Sequence, residues 1–153
     1  MTVRIDRADF RDPGLESFLQ AHLDDLAPIA PAESRHALAL AALRHPNVRL
    51  WVAQEGSAIV GTGALATLEP GHEELKSMRT HPARRGRGIA ARLLDRLLAD
   101  ALSRDVRRVS LETGSMDFFA AARSLYGKAG FVRCPPFGTY TSDPNSVYMT
   151  LAL

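Results

Sequence analysis

Two periodicities of apolar and polar residues alternate along this 153-residue chain, and the switches between them mark its elements. Thr2 to Asp6 alternates and ends on charge, which predicts a short first strand. Asp12-Pro13 then reads as a helix cap with proline at the first helical position, and Leu15, Phe18, Leu19, His22, Leu23 and Leu26 follow at helical spacing. Pro28 and Pro31 end that helix, and a second short one is expected from Ala32–Ser34 to Leu43. Val48 to Gln54 and Ala58 to Leu68 read as strands joined by the turn Glu55-Gly56-Ser57. Glu69-Pro70-Gly71-His72 returns the chain into a third strand, Glu73 to Thr80, completing an antiparallel meander. Next comes a long amphipathic helix whose Ile89, Leu93, Leu94, Leu97, Leu98, Ala101 and Leu102 form one buried face. Arg107 to Thr113 is a strand reached through that helix, so it should lie parallel to the strand before it. Met116 to Ala129 predicts another amphipathic helix, closed by Gly130. Phe131 to Cys134 and Ser146 to Leu153 supply the last strands. Residues 1–153 read as one α/β domain without repeats or linkers.

Before the long helix the periodic pattern gives way to Arg84-Arg85-Gly86-Arg87-Gly88. No Ser, Thr, Asp or Asn stands at the cap position, so the first N–H groups of the helix need a partner from elsewhere. A glycine-rich turn leading into an uncapped helix start, with Arg84, Arg85 and Arg87 around it, suits a phosphate group. Two glycines one residue apart also let a ligand lie against the backbone. A bare strand-to-helix turn with solvated arginines would carry the same Gly-Arg-Gly. Two phosphate loops are excluded. The P-loop needs Gly-Lys-Ser/Thr, which the chain lacks. The dinucleotide fingerprint needs a third glycine where Ala91 stands and an acidic residue at a strand end, whereas Asp105 precedes a strand.

Arg85-Gly86-Arg87-Gly88-Ile89-Ala90 resembles the Arg/Gln-x-x-Gly-x-Gly/Ala loop of the GNAT superfamily of N-acetyltransferases, which cradles the pyrophosphate of acetyl-coenzyme A. About 35 residues later, Leu125-Tyr126-Gly127-Lys128-Ala129-Gly130-Phe131 resembles the superfamily's second landmark, Leu-Tyr-x-x-x-Gly-Phe. The resemblance spans nearly the whole chain. It implies the acyl-CoA N-acyltransferase fold, a mixed and mostly antiparallel sheet of six to seven strands flanked by about four helices. It implies acetyl-CoA as co-substrate and N-acetylation of a primary amine, first of a small molecule. The alternatives are a protein N-terminus or lysine, or a non-catalytic acyl-CoA-binding module.

Acetyl transfer to an amine needs a positioned thioester, a donor for the developing oxyanion, a base for the ammonium proton and an acid for the leaving thiolate. The resemblance implies that the strand at Met78 splays from the strand at Leu111. The pantetheine arm then fills the gap, pairing with backbone from Met78 through Arg79 to Thr80, with the Met78 N–H toward the thioester oxygen. It makes Tyr126 the thiolate's acid, suited by an ordinary pKa near 10. A core aromatic would occupy the same helix position. Strand alternation puts Glu74, Lys76, Met78 and Thr80 on one face, which makes Glu74 a candidate base. Glu73, His72 and a water relay compete with it, and a solvated strand-end carboxylate is the plain alternative. The superfamily often has Asn seven residues before the helix tyrosine, where this chain has Phe119, which could pack on the pantetheine instead. Tyr140 and Asp143, in the polar segment from Phe137 to Ser146, are candidates for acceptor selection. Arg35 and His36 are further candidates on the helix pair that walls the acceptor pocket in this fold, as are His22 and Arg44.

Composition narrows the remaining readings. One cysteine, Cys134, excludes intrachain disulfides and thiolate metal sites and makes a reducing cytoplasm the expected compartment; no metal is expected. A net charge of +2 is too small for a dedicated nucleic-acid binder, and the arginines lack interleaved aromatics. No apolar run reaches membrane-span length, and Met1 to Phe10 has no signal-peptide profile. The expected partner is a small-molecule amine, with a homodimer allowed.

Overall fold

In the computed structural model, which describes residues 2–34 and 38–153, the strands join into one sheet. Strands β1 (Val3–Arg7), β2 (Val48–Glu55), β3 (Ala58–Glu69), β4 (His72–Thr80), β5 (Arg108–Gly114), β6 (Val132–Arg133) and β7 (Ser146–Ala152) lie in the order β1-β2-β3-β4-β5-β7-β6. All neighbours run antiparallel except β4 and β5, which are parallel because a helix connects them. Helices α1 (Pro13–Leu26) and α2 (Leu40–Leu43) cover one face, where Leu15, Leu19 and Leu43 pack on Leu50, Val52 and Ala64. Helices α3 (Ile89–Ser103) and α4 (Ala120–Lys128) cover the other, over a larger core that includes Leu65, Leu75, Val109 and Leu111. This is the mixed, mostly antiparallel α/β architecture that the resemblance implies. No helix among the described residues is long and apolar enough to cross a membrane.

Local chemistry explains the boundaries. The Asp12 carboxylate accepts from the Gly14 N–H at 2.8 Å and starts α1 at Pro13. Ile89, Leu93, Leu94, Leu97 and Ala101 bury one face of α3; at about 1.5–3 kcal/mol per fully buried leucine, packing rather than capping holds it. Leu102, placed on that face by spacing, is 61% exposed although Ala101 beside it is fully buried: the buried stripe runs through Leu93, Leu97 and Ala101, and Leu102 falls outside it. The single helix expected from Ala32 to Leu43 is instead a 3-10 turn, Ala32–Ser34, and the separate α2. Ala39 is extended at ψ 165°, which breaks helical continuity; Arg35 and His36 lie outside the described residues. The helix expected from Met116 is a 3-10 turn, Asp117–Phe119, before α4, with Phe119 leaving helical geometry at ψ 6°. Gly130 ends α4 as expected: its N–H bonds the Gly127 carbonyl, and the Phe131 N–H bonds that of Tyr126.

One irregularity shapes the centre of the sheet. The β3–β4 register passes from Thr62↔Arg79 to Ala64↔Lys76, so Ser77 and Met78 together oppose Gly63. Ser77 takes φ 56°, a left-handed value that a serine adopts only at a cost. The Thr62 hydroxyl, fully buried, donates to the Ser77 carbonyl at 2.8 Å and pins the bulge. A Cβ on Gly63 would stand 2.6 Å from Met78 Sδ and 2.7 Å from Leu97 Cδ1, so only glycine fits opposite. The bulge breaks the alternation along β4. Glu74 and Lys76 keep one face, but Met78 packs into the core under α3, so the expected four-residue face is not formed.

Candidate active site

β4 and β5 pair only from His72↔Arg108 to Leu75↔Leu111. Beyond Leu75 the two parallel strands part, and the bulge at Ser77 begins just there. This wedge opens at the carboxyl ends of both strands, where open sheets of this kind bind ligands. A cleft passes through it and is lined from both faces of the sheet. On the α1 side stand His22, Glu74, Lys76 and Tyr140. On the α4 side stand Tyr126, Ala122 and Phe119, with Glu112, Thr113 and Gly114 of β5 between.

Just past β4 lies the loop that carries Arg85, Gly86, Arg87 and Gly88. Gly86 and Gly88 have φ 77° and 78°, and a Cβ at either would meet nothing within 4 Å. Gly88 is the cap residue of α3, which has no side-chain cap bond. Ile89 is buried and anchors the first turn, Ala90 follows half-buried, and Arg85 and Arg87 are exposed. Arg84 is held by Glu55 at 3.1 Å. Open backbone at an uncapped helix start, beside a wedge without a strand partner, fits a phosphate-bearing ligand with a long arm.

Tyr126, on α4, is buried with its ring edge-on to Phe131 at 5.9 Å. Burial, and then the Glu112 carboxylate, push its phenol well above the ordinary value, so it is protonated at neutral pH. Phe119 lines the cleft beside it, its ring lying where a Cβ on Gly114 would stand, with Phe118 edge-on at 4.9 Å.

Across the wedge, the Glu74 side chain is 9% exposed. Its Oε2 accepts from the Tyr140 hydroxyl at 2.5 Å and from Lys76 Nζ at 3.2 Å. Lys76 also donates to the Tyr140 hydroxyl at 3.0 Å. Burial and the Glu74 carboxylate push the Tyr140 phenol far up, so it stays a donor. Asp143 does not line the cleft: it accepts from the Ser34 hydroxyl at 2.5 Å and from the Asn145 N–H at 2.8 Å, and Ser34 and Asn145 form the rim. Its contact therefore ties the loop before β7 to the segment after α1.

Glu73 and His72, the other side chains considered as a base, are paired away from the cleft. Glu73 points to the α3 side and takes a bidentate pair from Arg104, at 2.7 Å for each oxygen. His72 bonds Ser110 Oγ at 2.7 Å and lies outside the cleft. Arg79 pairs with Asp25 at 2.9 Å and lies over the Phe18 ring, anchoring α1 to β4, while Arg44 bonds the Phe10 carbonyl. Burial pushes the half-buried Cys134 thiol upward and outweighs the opposing pull of the Arg108 guanidinium, so the thiol is not activated as a nucleophile.

Glu112, Ser34 and Asn145 were not singled out in the sequence. Glu112 accepts from Ser146 at 2.7 Å and faces the cleft from mid-strand. An acid alternating with apolar neighbours on β5 was its one signal. His22 lies in the cleft with its imidazole pushed down to about 4, by burial first and then by the Arg79 guanidinium.

Residues 8–131 match the profile of the Acetyltransferase (GNAT) family. The chain is 42% identical over 153 residues, all of each chain, to the uncharacterized N-acetyltransferase YsnE of Bacillus subtilis (strain 168). It is 40% identical over 125 residues to an IAA acetyltransferase of Azospirillum brasilense, covering 81% of this chain and 80% of that one. Among solved structures, an aminoglycoside 6'-N-acetyltransferase complexed with coenzyme A superposes with a TM-score of 0.72 at 17% identity, over 97% of this chain and 96% of that one; this likeness is one of fold.

Proposed function

The chain belongs to the Acetyltransferase (GNAT) family, and we propose that it moves an acetyl group from acetyl-coenzyme A to the primary amine of a small molecule. The observation that carries this reading is the wedge between β4 and β5, with a protonated tyrosine on one side and a buried carboxylate on the other. Acetyl-coenzyme A supplies the acyl group as an activated thioester. Gly86 and Gly88, with Arg85, Arg87, Ile89 and Ala90, receive its pyrophosphate. The edge of β4 left without a partner, from Met78 through Arg79 to Thr80, pairs with its pantetheine arm, and Phe119 packs along that arm. The Met78 N–H donates to the thioester oxygen, and the Tyr126 hydroxyl gives its proton to the departing sulfur.

On the acceptor side, Glu74 takes the ammonium proton directly or through a water. Both contacts from Tyr140 and Lys76 fall on its Oε2, which orients the carboxylate and leaves Oε1 for that task. Glu112 adds negative charge to the same cleft, which favours entry of a cationic amine. Tyr140 and the loop tied down by Asp143 set the size of the acceptor. A relative named for IAA, 40% identical over most of both chains, supports a small molecule over a folded protein surface. Residues 1–153 act as one unit, in the cytoplasm. The test is a panel of primary amines incubated with acetyl-coenzyme A and scored by free thiol: amine-dependent release is expected, and none across the panel would refute the reading.

A further inference from the structure

Among the described residues of the cleft, Ser77 has a side-chain hydroxyl that is both buried and unsatisfied. It is 7% exposed, lines the cleft, and its hydroxyl finds no hydrogen-bond partner among the described residues. Its backbone is left-handed at φ 56°, so the fold bears a second cost at the same position. That arrangement is built from outside. The Thr62 hydroxyl grips the Ser77 carbonyl, and Gly63 leaves the room that the bulge requires. A buried hydroxyl without a partner is costly to a fold, and such groups are kept where a ligand completes them.

Resting on the acetyl-transfer reading, we propose that the Ser77 hydroxyl donates a hydrogen bond to the acyl carbonyl oxygen of the bound donor. The position argues for this oxygen over others. Ser77 follows Lys76, which faces the acceptor side with Glu74 and Tyr140, and precedes Met78, which packs under α3. It also lies two residues beyond the last paired position, Leu75↔Leu111, where the wedge opens. The acyl carbon has to sit where the donor and acceptor sides meet, because the amine reaches it from one and the sulfur leaves toward the other. Serine there supplies a side-chain donor next to a backbone N–H, and two donors on one oxygen hold it better than one.

The experiment is calorimetric titration of wild type, Ser77→Ala and Ser77→Gly with acetyl-coenzyme A and, separately, with coenzyme A. Free coenzyme A lacks the acyl oxygen, so its affinity is the internal control. Ser77→Gly also relieves the left-handed strain, so a folded variant without the hydroxyl is assured. Both variants should bind acetyl-coenzyme A about three- to tenfold more weakly, the worth of one hydrogen bond, with coenzyme A affinity unchanged. A ratio of the two affinities equal to that of wild type in both variants would overturn the assignment of Ser77 alone. Wild type that binds neither ligand would overturn the acetyl-coenzyme A reading as a whole.

Discussion

Acidification from pH 7 to pH 5 should destabilise this protein chiefly through one imidazole. His22 projects from α1 into the cleft, where burial, and then the Arg79 guanidinium, lower its affinity for a proton to a pKa of about 4, with Asp25 opposing. In the unfolded chain the same group titrates near 6.5. Between these values the unfolded state binds a proton that the folded state refuses. Stability is therefore full above about pH 6.5, falls as the pH drops, and the loss is complete near pH 4. The shift corresponds to about 3 kcal/mol in all and about 2 kcal/mol by pH 5. Urea unfolding of wild type and His22→Gln at pH 7 and pH 5 reads it directly. Wild type should lose about 2 kcal/mol more than the variant between the two pH values, or roughly 4–8 °C more in melting temperature. Equal losses would show that His22 titrates freely and that the α1 wall of the cleft is open to water.

Two glycine substitutions test the two ends of the donor site. In Gly114→Ala the new Cβ would fall onto Phe119 Cδ2 and Cε2, so the ring must leave the cleft wall. A loss of about 1–3 kcal/mol in stability and weaker acetyl-coenzyme A binding should follow; unchanged affinity in calorimetry would remove Phe119 from the donor's path. Gly88→Val has open space around its Cβ but a backbone at φ 78°. It should fold at a cost of about 1–2 kcal/mol and lose acetyl-coenzyme A binding, because the branched side chain covers the loop backbone; wild-type affinity in the folded variant would take the loop out of the site.

Periodicity made most of the fold legible. The long run from Ile89 to Ala101 could form only an amphipathic helix, and Asp12-Pro13 marked the start of α1 to the residue. The bulge at Ser77 was not legible because its cause lies on another strand. Only the pairing with β3 shows that Gly63 and Thr62 make room for it, and strict alternation consequently put Met78 on the wrong face. Glu73 and Glu74 had to face opposite ways, yet which of them met the cleft depended on Arg104 just past α3 and Tyr140 of a distant loop. The tie between Ser34 and Asp143 spans 109 positions, and no local pattern reports it. Glu112 read as an ordinary polar strand position until the topology set β5 beside the parting end of β4. The position of Tyr126 on α4 was legible because its motif is local, with Gly130 and Phe131 completing the turn that fixes it.

The most direct test is turnover by Tyr126→Phe beside wild type, followed as thiol released from acetyl-coenzyme A with any accepted amine. Losing one hydroxyl keeps the ring packed against Phe131, so the fold and acetyl-coenzyme A affinity should hold. If Tyr126 protonates the departing thiolate, kcat falls toward the lower part of the roughly 10²–10⁴-fold range of general acid catalysis. Single-turnover rates keep the comparison on the chemical step should product release limit wild type. A variant that binds acetyl-coenzyme A as tightly as wild type and acetylates at the wild-type single-turnover rate would contradict the account.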